Sequence, residues 1–434
     1  MESFTILIPC MRPPFSHGIE IIQFKNIIKE IGKKFNVKPI WVIFQPDKIE
    51  HEKTSDYEII YYDNYKNALE ILEEKNPDLI LFDGDLTCYS ISFALAGKFK
   101  NIPVVTTFFV TESENNPNFL WAKSRLRILF GNGLMRDERS ANTNKEMNPK
   151  KFKMLSFGLN EYRFLLRTLK KINYSNFDLL RFMSFFPRFQ IFSEQDTVKH
   201  PLASGVLNLC STPKIVKKLK NAGFLDTTIF LCGNPYFDNL FLKRRDYSNK
   251  LNNPKTRILF CTSSLHEHGM WSKQKEDNFV INIIKNISEN KANEIALKIH
   301  PSTSSRKEYE ELLQTNNLNI TLYQKEDFVT LLAEYDIVIC YGQTTTILEG
   351  VLLNKKIIFI DFFNEHNLNQ FFDESVMTYC SKLNDLDTKI QTSLEKIISK
   401  DRYQKYIEKH IGRFDGNCST LAANEILKIC NKKN

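Results

Sequence analysis

The apolar and polar positions of the chain come in blocks that predict strands and helices in alternation. Short apolar runs bounded by Gly, Pro or Asp are typical of strands buried in a parallel sheet, and longer runs with helical spacing are typical of the helices that cover it. Strands are predicted at 4–8, 41–44, 78–82, 102–109, 227–232, 257–261, 294–299, 337–340 and 356–361. Helices are predicted at 21–35, 67–75, 88–98, from about 278, at 306–313, around 385–410 and at 418–430. This rhythm predicts two α/β domains with parallel sheets.

The clearest of these α/β units lies in the last third of the chain. An apolar strand ends at Gly342, and three hydroxyl residues, Thr344, Thr345 and Thr346, precede a helix that carries Glu349. Backbone N–H groups at the start of a helix, together with hydroxyls, bind anions and most naturally phosphate. Glu349, about one turn into the helix, would accept hydrogen bonds from both hydroxyls of a ribose. The competing interpretation is a capped structural helix with a solvated glutamate.

Two other predicted strands of the second half also end in polar loops. These loops supply Ser263, His266, His268, His300, Pro301 and Ser302. Because the carboxyl ends of parallel strands share one edge of a sheet, we expect the loops to converge with the threonine loop. Imidazoles, hydroxyls and a helix N-terminus at one edge predict a site for a phosphate-bearing ligand. Each histidine taken alone is more often structural or exposed to solvent.

The composition is that of a soluble globular protein. The 434 residues fit two domains of roughly 200 residues each. A hydrophobic share of 42% with 25% charged residues argues against wholesale disorder. No apolar run reaches the ~18 residues that a membrane span needs, and the N-terminus lacks the basic region of a secretory signal. The nine cysteines, none in a C-x-x-C pair, favour reduced thiols in a cytoplasmic protein, so neither disulfides nor a metal site are predicted.

The formal net charge of +8 is concentrated in the segment 147–192. Its cations are Lys150, Lys151, Lys153, Arg163, Arg167, Lys170, Lys171, Arg181 and Arg188, interleaved with Phe164, Phe177, Phe182, Phe185, Phe186 and Phe189. Such an element could lie on an anionic membrane surface or receive a lipid-linked acceptor. Nucleic acid is the other candidate, but no nucleic-acid motif accompanies the charge. Alternatively, the phenylalanines are core and the cations are its solvated side.

Several stretches carry a family resemblance. They are PDLILFDGDLTCYSISFALAGKFKNIPVV (77–105), FLCGNPYFDNL (230–240), ALKIHPST (296–303), YGQTTTILEGVLLNKKIIFID (341–361) and the closing DGNCSTLAANEIL (415–427). Their order and spacing resemble the GT-B-fold superfamily of UDP-GlcNAc 2-epimerases, CDP-glycerol glycerophosphotransferases and capsule sialyl- and polysialyltransferases. The resemblance covers most of the chain except roughly 110–200.

This resemblance implies an α/β, GT-B-like fold of two doubly wound Rossmann-like domains that face each other across a cleft. An acceptor-side domain would span 1–245, with a basic helical insertion near 147–192. A nucleotide-binding domain would span 246–412, and a terminal helix at 413–434 would cross back to the first domain. By the same resemblance, His300 contacts the nucleotide phosphate, the threonines cradle it and Glu349 holds the ribose. Asp85 matches the acid of the epimerases' G-D motif.

The departures from the epimerase pattern are specific. Gly342-Gln343-Thr344 stands where the epimerases have Ser-Gly-Gly, and Leu265-His266-Glu267-His268 replaces their His-Arg-x-x-Asn segment. The stretch 107–116 replaces their Glu-Ala-Gly-Leu-Arg. Tyr341 stands where retaining GT-B enzymes commonly carry a glutamate. These changes remove acid–base groups but not the nucleotide-binding ones, and they favour an inverting glycosyltransferase.

The expected function is therefore an inverting, metal-independent glycosyltransferase that builds a cell-surface glycan from a UDP-, CMP- or CDP-linked sugar. A general base, His17, Asp83 or Asp85, would deprotonate the acceptor hydroxyl, which is a glycan or a lipid-linked group. No cofactor is expected, and the protein would be cytoplasmic, at the inner face of the membrane. The alternatives are a UDP-GlcNAc 2-epimerase-like enzyme, a CDP-glycerol-type glycerophosphotransferase and an inactive nucleotide-sugar-binding scaffold.

Overall fold

The computed structural model describes most of the chain. The described residues are 1–10, 14–15, 19–44, 56–84, 88–109, 149–175, 204–244, 254–263, 265–266, 271–301, 304–342, 344–364 and 371–431. For 149–159 the description extends to the backbone alone. Four predicted site residues, His17, Asp85, His268 and Ser302, lie outside the described residues, as does the basic segment beyond residue 175.

The chain folds into two compact units, each with one parallel sheet and covering helices. The first unit takes its residues from 1–236 and from Asn417–Asn434, and the second comprises Phe237–Gly416. This confirms the predicted α/β architecture of two Rossmann-like units. The role predicted for each domain stays a prediction.

The first unit has a seven-stranded sheet with the order β3-β2-β1-β4-β5-β6-β7. Its strands are β1 (Ser3–Cys10), β2 (Asn36–Ile43), β3 (Glu58–Tyr61), β4 (Leu79–Asp83), β5 (Val104–Phe108), β6 (Leu207–Cys210) and β7 (Ile229–Leu231). Its helices are α1 (Ile19–Ile31), α2 (Ala68–Lys75), α3 (Cys88–Phe99), α4 (Pro149–Lys171) and α5 (Pro213–Asn221). The last helix of the chain, α13 (Cys418–Asn431), also belongs to this unit.

Both faces of this first sheet are buried, because successive residues of β1 are apolar and point to opposite sides. On one face, Ile6 and Ile8 share a core with Phe24 of α1 and Ile426 of α13. On the other face, Leu7 belongs to a core contributed by α2, α3 and α4. The terminal helix is therefore part of the first unit although it follows the whole of the second in sequence.

The second unit has a six-stranded sheet with the order β10-β9-β8-β11-β12-β13. Its strands are β8 (Thr256–Cys261), β9 (Asn293–Lys298), β10 (Thr321–Tyr323), β11 (Ile337–Tyr341), β12 (Lys356–Ile360) and β13 (Thr378–Cys380). Its helices are α6 (Phe237–Lys243), α7 (Lys273–Glu289), α8 (Arg306–Thr315), α9 (Phe328–Glu334), α10 (Thr346–Leu352), α11 (Leu386–Glu395) and α12 (Lys400–His410).

The second sheet is also covered on both faces. Side chains of α7, α8 and α11 share one core with alternate residues of β8 and β11, such as Phe260 and Ile339. Helix α10 lies close against β12, since a Cβ on Gly350 would stand 2.4 Å from Ile357 Cδ1. A larger residue at Gly350 would push α10 away from the strand, and with it the loop that precedes the helix.

Helix α4 contains the described part of the basic segment. Phe164, Leu165 and Leu169 are buried against α2 and α3. Arg163, Arg167, Lys170 and Lys171 are exposed on the opposite side of the helix, at the spacing of one helical face. In the part of α4 whose side chains are described, the phenylalanine is therefore core and the cations form an exposed stripe.

The structure differs from the sequence prediction mainly in short elements. Strands β3, β6, β10 and β13 and helix α9 were not predicted, and α7 begins at Lys273 instead of 278. These strands have three or four residues, too few to show a period, and they form because neighbouring strands supply hydrogen-bond partners. None of the nine cysteines forms a disulfide bond in the structure, and eight are buried. No helix among the described residues is long and apolar enough to cross a membrane.

Candidate functional site

Three adjacent strands of the second sheet bring the predicted loops to one edge. Strands β9, β8 and β11 are neighbours and run parallel. Ser263 follows β8, His300 follows β9 and Gly342 follows β11, so all three lie at the carboxyl edge of this sheet. Ser263 is buried and His300 is half-buried. The adjacent Pro301 is exposed.

Gly342 brings two of these loops into contact. Its φ of +64° lies in the left-handed region, which glycine adopts without strain. A Cβ at this position would stand 2.8 Å from Ser263 Oγ and 3.1 Å from Leu265 Cδ2. The backbone of the β11 loop therefore approaches the β8 loop as closely as a glycine allows.

The three threonines follow at the start of α10. Thr344 Oγ1 accepts a hydrogen bond from the Thr346 N–H at 3.2 Å, so this hydroxyl is used in part by the loop itself. Thr345 is exposed and precedes the helix without a side-chain capping bond. Thr346 is half-buried. The hydroxyl of Thr345 is thus the one that the local backbone leaves available to a ligand.

Lys298 is a buried cation at this edge that the sequence analysis missed. It is the last residue of β9 and is only 7% exposed. Its Nζ donates to the carbonyl oxygens of Ile299 at 3.2 Å and Gln324 at 2.6 Å, which ties the end of β9 to the end of β10. A lysine inside an otherwise apolar strand, directly before Ile299-His300, was the signal that could have found it.

Glu349 is buried and not solvated, with 5% of its surface exposed. Burial lowers the pKa of Lys298, and the neighbouring Cys261, Glu326 and Glu349 act in the opposite direction. Burial raises the pKa of the Cys261 thiol. The charge of Lys298 lowers this pKa, and the charge of Glu349 raises it further. Glu349 and Lys298 therefore form one buried electrostatic group of opposite charges, on the face of the sheet that α10 covers.

A second buried carboxylate, Glu276 of α7, holds the β8 loop. Its Oε1 accepts from Tyr341 Oη at 2.8 Å, and its Oε2 accepts from the His266 N–H at 3.2 Å. Burial raises the pKa of the Tyr341 hydroxyl, and the Glu276 charge raises it further. His266 Nδ1 also lies 3.4 Å from the Trp271 carbonyl oxygen. These contacts fix the position of His266, a predicted site residue, beside the end of β11.

A small cleft opens beside Gly342. We call it the aromatic cleft, and its walls include Leu265, Trp271, Tyr341, Gly342, Asp361 and Phe363. The rings of Trp271 and Tyr341 are stacked with centroids 5.6 Å apart, and the Phe363 ring stands edge-on to Trp271 at 5.3 Å. The cleft therefore combines a rigid apolar wall with the backbone of the β11 loop.

Of the predicted catalytic residues in the first unit, the structure describes Asp83. It is half-buried at the carboxyl end of β4. The next residue, Gly84, donates its N–H to the Thr107 carbonyl oxygen at 2.7 Å and lies against the Phe108 ring. His17 and Asp85 lie outside the described residues, so the choice of a general base stays a prediction. Within the described part of the chain, no group of three His, Cys, Asp or Glu side chains is placed to hold a metal ion.

The fold and these strand-end loops place the protein in the class of two-unit α/β proteins to which the GT-B fold belongs. A family model described as UDP-N-acetylglucosamine 2-epimerase matches residues 203–420, half of the chain. The chain belongs to this family. The matched residues include Phe237–Gly416 of the second unit and the adjoining parts of the first unit. No curated protein matches the chain.

Solved structures share the fold over nearly the full length. A UDP-GlcNAc 2-epimerase from Methanocaldococcus jannaschii matches with a TM-score of 0.53 and 13% identity, covering 98% of this chain and 99% of its own. The Neisseria meningitidis UDP-GlcNAc 2-epimerase bound to UDP-GlcNAc also matches with a TM-score of 0.53 and 13% identity, covering 98% of this chain and 100% of its own. The spinosyn forosaminyltransferase SpnP matches with a TM-score of 0.50 and 9% identity, covering 98% of this chain and 99% of its own. These likenesses show a shared fold, and the family model confirms the predicted resemblance to the group that includes the UDP-GlcNAc 2-epimerases.

Proposed function

We propose that this protein is a nucleotide-sugar enzyme that binds a UDP-linked sugar at the carboxyl edge of the second sheet and inverts the sugar at carbon 2. The observation that carries the proposal is the arrangement of Ser263, His300 and Gly342 on three adjacent strand ends, inside the region that the family model matches. The solved epimerase from Neisseria meningitidis was bound to UDP-GlcNAc, which supports this choice of ligand.

Each group at the edge would have a physical role. The imidazole of His300, the Thr345 hydroxyl and the backbone around Gly342 would donate hydrogen bonds to the phosphates. The buried ammonium of Lys298 would add positive potential, since charge acts over longer distances where water is excluded. Glu349 would accept hydrogen bonds from the ribose hydroxyls. The nucleotide would thereby leave with its developing negative charge stabilised by donors already in place.

Glycosyl transfer is the second candidate, and a specific observation favours it. Gly342-Gln343-Thr344 replaces the Ser-Gly-Gly loop of the epimerases that the sequence resembles, and His266 lies in a segment that lacks their His-Arg-x-x-Asn pattern. Loss of acid–base groups with retention of phosphate-binding ones suits an inverting transfer, in which the acceptor hydroxyl attacks the anomeric carbon as the nucleotide leaves. The base would come from His17, Asp83 or Asp85, and the product would be a cell-surface glycan.

The exposed stripe on α4 supports a membrane-apposed version of that second candidate. Arg163, Arg167, Lys170 and Lys171 are exposed along one face of this helix. Four cations on one helical face would contribute about 1 kcal/mol each near an anionic leaflet. Replacing all four by Glu should abolish flotation with phosphatidylserine vesicles and leave flotation with phosphatidylcholine vesicles at its low basal level. Unchanged flotation of the variant would remove the membrane role.

One incubation separates the candidates. The protein is mixed with UDP-GlcNAc, with and without a glycan acceptor, and the products are read by NMR for the configuration at carbon 2 and by mass spectrometry for free UDP. We expect the C2 epimer, or released UDP, without acceptor. Consumption of the donor only with acceptor would establish transfer, and binding without turnover would indicate an inactive scaffold.

A binding measurement tests the site itself. The substitution His300→Ala should weaken UDP binding by roughly tenfold, because a hydrogen bond to a charged group is worth about 1.5–3 kcal/mol. Thr392→Ala, on the exposed side of α11, is the matched control and should leave UDP affinity unchanged. Equal affinities of wild type and His300→Ala would remove the phosphate role of His300.

A further inference from the structure

The end of β11 carries a buried tyrosine hydroxyl to which the roles above assign nothing. Tyr341 is the last residue of β11 and is only 1% exposed. Its ring stacks on Trp271 with centroids 5.6 Å apart and meets the Phe279 ring edge-on at 4.8 Å. Two rings therefore hold the tyrosine in one orientation, and its burial keeps the hydroxyl from contact with a ligand.

This hydroxyl donates to a buried carboxylate of α7. Glu276 lies in the first turn of the helix and is 2% exposed. The dipole of a helix favours a negative charge there, but burial of a charge costs free energy that hydrogen bonds must offset. One of these bonds comes from Tyr341 Oη at 2.8 Å and another from the His266 N–H at 3.2 Å. The two oxygens of Glu276 therefore connect the end of β11 to the β8 loop.

The same tyrosine also reaches Ser263, at the start of the β8 loop. Tyr341 Oη lies 3.4 Å from the Ser263 carbonyl oxygen, which also accepts from the Leu265 N–H at 2.9 Å. The Ser263 hydroxyl lies beside Gly342, 2.8 Å from where a Cβ on that glycine would stand. Tyr341 and Glu276 thus contact the β8 loop at Ser263 and at His266, while the Ser263 side chain faces the next residue of β11.

The spacing of these two loops bears on affinity. Ser263 and Gly342 lie on the strand ends to which we assign the phosphates, so this step rests on the proposed function. Groups that must bind one ligand together bind it more tightly when their spacing is set in advance, because ordering them on binding costs conformational entropy. Hydrogen bonds to a charged group are roughly twice as strong as neutral ones, which suits them to hold such a spacing.

We propose that Tyr341 and Glu276 form a positioning pair that sets the spacing of Ser263 and Gly342 for one diphosphate. Neither residue touches the ligand, and neither takes part in bond breaking. Tyr341 stands where retaining GT-B enzymes commonly carry a glutamate, and here it orders the binding loops from behind. Glu276, on a different helix, completes the pair.

The test measures the affinity for UDP by calorimetry in wild type and three variants. Tyr341→Phe keeps the ring and removes the hydroxyl, and we expect a loss of roughly threefold, the effect of one hydrogen bond. Glu276→Gln keeps one acceptor oxygen and should also lose roughly threefold. Glu276→Met keeps the length of the side chain but accepts from neither loop, and it should lose roughly tenfold.

A second background tests whether the pair acts through Ser263. In Ser263→Ala the hydroxyl to be positioned is missing, so Glu276→Met should cost less than about threefold there. Such a dependence of one substitution on the other is what coupled residues show, and a general loss of stability would not produce it. A loss of the same size in both backgrounds would overturn the positioning of Ser263.

A tyrosine remote from the site is the matched control. Tyr403 Oη donates to the Leu352 carbonyl oxygen at 3.1 Å, at the end of α10 opposite its threonines. Tyr403→Phe should leave UDP affinity unchanged, and an affinity loss equal to that of Tyr341→Phe would overturn the inference. Thermal unfolding checks that each variant is folded. If Glu276→Met does not fold, Tyr341→Phe and Glu276→Gln decide the result, with Tyr341→Phe taking the place of Glu276→Met in the Ser263→Ala background.

Failure of the inference and failure of the proposed function are distinguishable. If wild type binds UDP and both Tyr341→Phe and Glu276→Gln bind it as wild type does, the pair has a structural role only and the proposed function stands. If wild type binds no UDP, the proposed function fails and the inference fails with it.

Discussion

The two sheets share their strand order over six strands, but different side chains stand at the carboxyl ends of their second strands. In each, the first strand of the unit is flanked by the second and the fourth, as the orders β3-β2-β1-β4 and β10-β9-β8-β11 show. At the end of β2 the first unit has Phe44, whose ring stacks on Tyr89 with centroids 3.7 Å apart. At the equivalent end of β9 the second unit has Lys298. One end is closed by aromatic packing and the other carries a buried charge.

This difference shows that the shared topology does not by itself create a site. Burying an ammonium costs free energy unless hydrogen bonds and opposite charges compensate it, and Lys298 has both. In the first unit, aromatic packing of Phe44, the residue directly after β2, contributes stability directly. The second unit therefore buries a compensated charge at the sheet edge that carries the candidate site.

The largest effect on stability should come from the aromatic end of the first unit. Phe44→Ala removes a fully buried ring that packs on Tyr62, Tyr89 and Phe93, and it should lower the free energy of unfolding by about 3–5 kcal/mol. Urea titration measures this. The exposed Phe99 is the matched control, and Phe99→Ala should cost less than about 0.5 kcal/mol. Equal costs would show that the ring cluster does not stabilise the unit.

The next effect should separate a structural lysine from a ligand-binding one. Lys298→Met leaves the carbonyl oxygens of Ile299 and Gln324 without their donor, which should cost about 2 kcal/mol and also weaken UDP binding by roughly tenfold. Lys355 is the matched control, because it donates to the carbonyl oxygens of Ala333 and Tyr335 at the other edge of the same sheet. Lys355→Met should cost similar stability and leave UDP affinity unchanged. If both variants bind UDP alike, Lys298 is structural only.

Gly342→Ala should lower the free energy of unfolding by less than Lys298→Met does. An alanine at φ +64° is strained by about 1–2 kcal/mol, and its Cβ would displace Ser263 Oγ from 2.8 Å. UDP affinity should fall because the two phosphate loops separate. Gly416→Ala is closely matched, with φ +75° and a Cβ 2.8 Å from the Phe241 ring. It should lose similar stability in the urea titration without a change in UDP affinity, and a loss of affinity in both variants would contradict the role of Gly342.

The smallest effect should come from a polar group of the first unit whose bonds are all local. Asn67 caps α2 by accepting from the Glu70 N–H at 3.2 Å. Asn67→Ala should cost about 1 kcal/mol in the urea titration and leave UDP affinity unchanged. Asn67→Ser retains a capping oxygen and should recover most of that loss. A change of UDP affinity in Asn67→Ala would mean that the polar groups of the first unit also act on the ligand.

Long apolar and amphipathic segments could be predicted because their patterns are strong. The strands β4 and β11 and the helices α3 and α13 lie within a residue or two of their predicted bounds. Strand β13 has three residues and was not predicted, because its place depends on pairing with β12. Lys298 was missed for a related reason, since its chemistry comes from the carbonyl oxygens of Ile299 and of Gln324, 26 residues away in sequence.

The amino-acid sequence by itself determined the two α/β units and the loops that carry Ser263, His300 and Gly342, because these follow from hydrophobic period and local residue type. The tertiary structure decided that Glu349 is buried near Lys298, that Glu276 joins Tyr341 to the His266 loop and that Lys275 rests on two rings. These contacts join residues on different strands and helices. Their burial and electrostatics arise only when the sheet has assembled, and no local pattern encodes them.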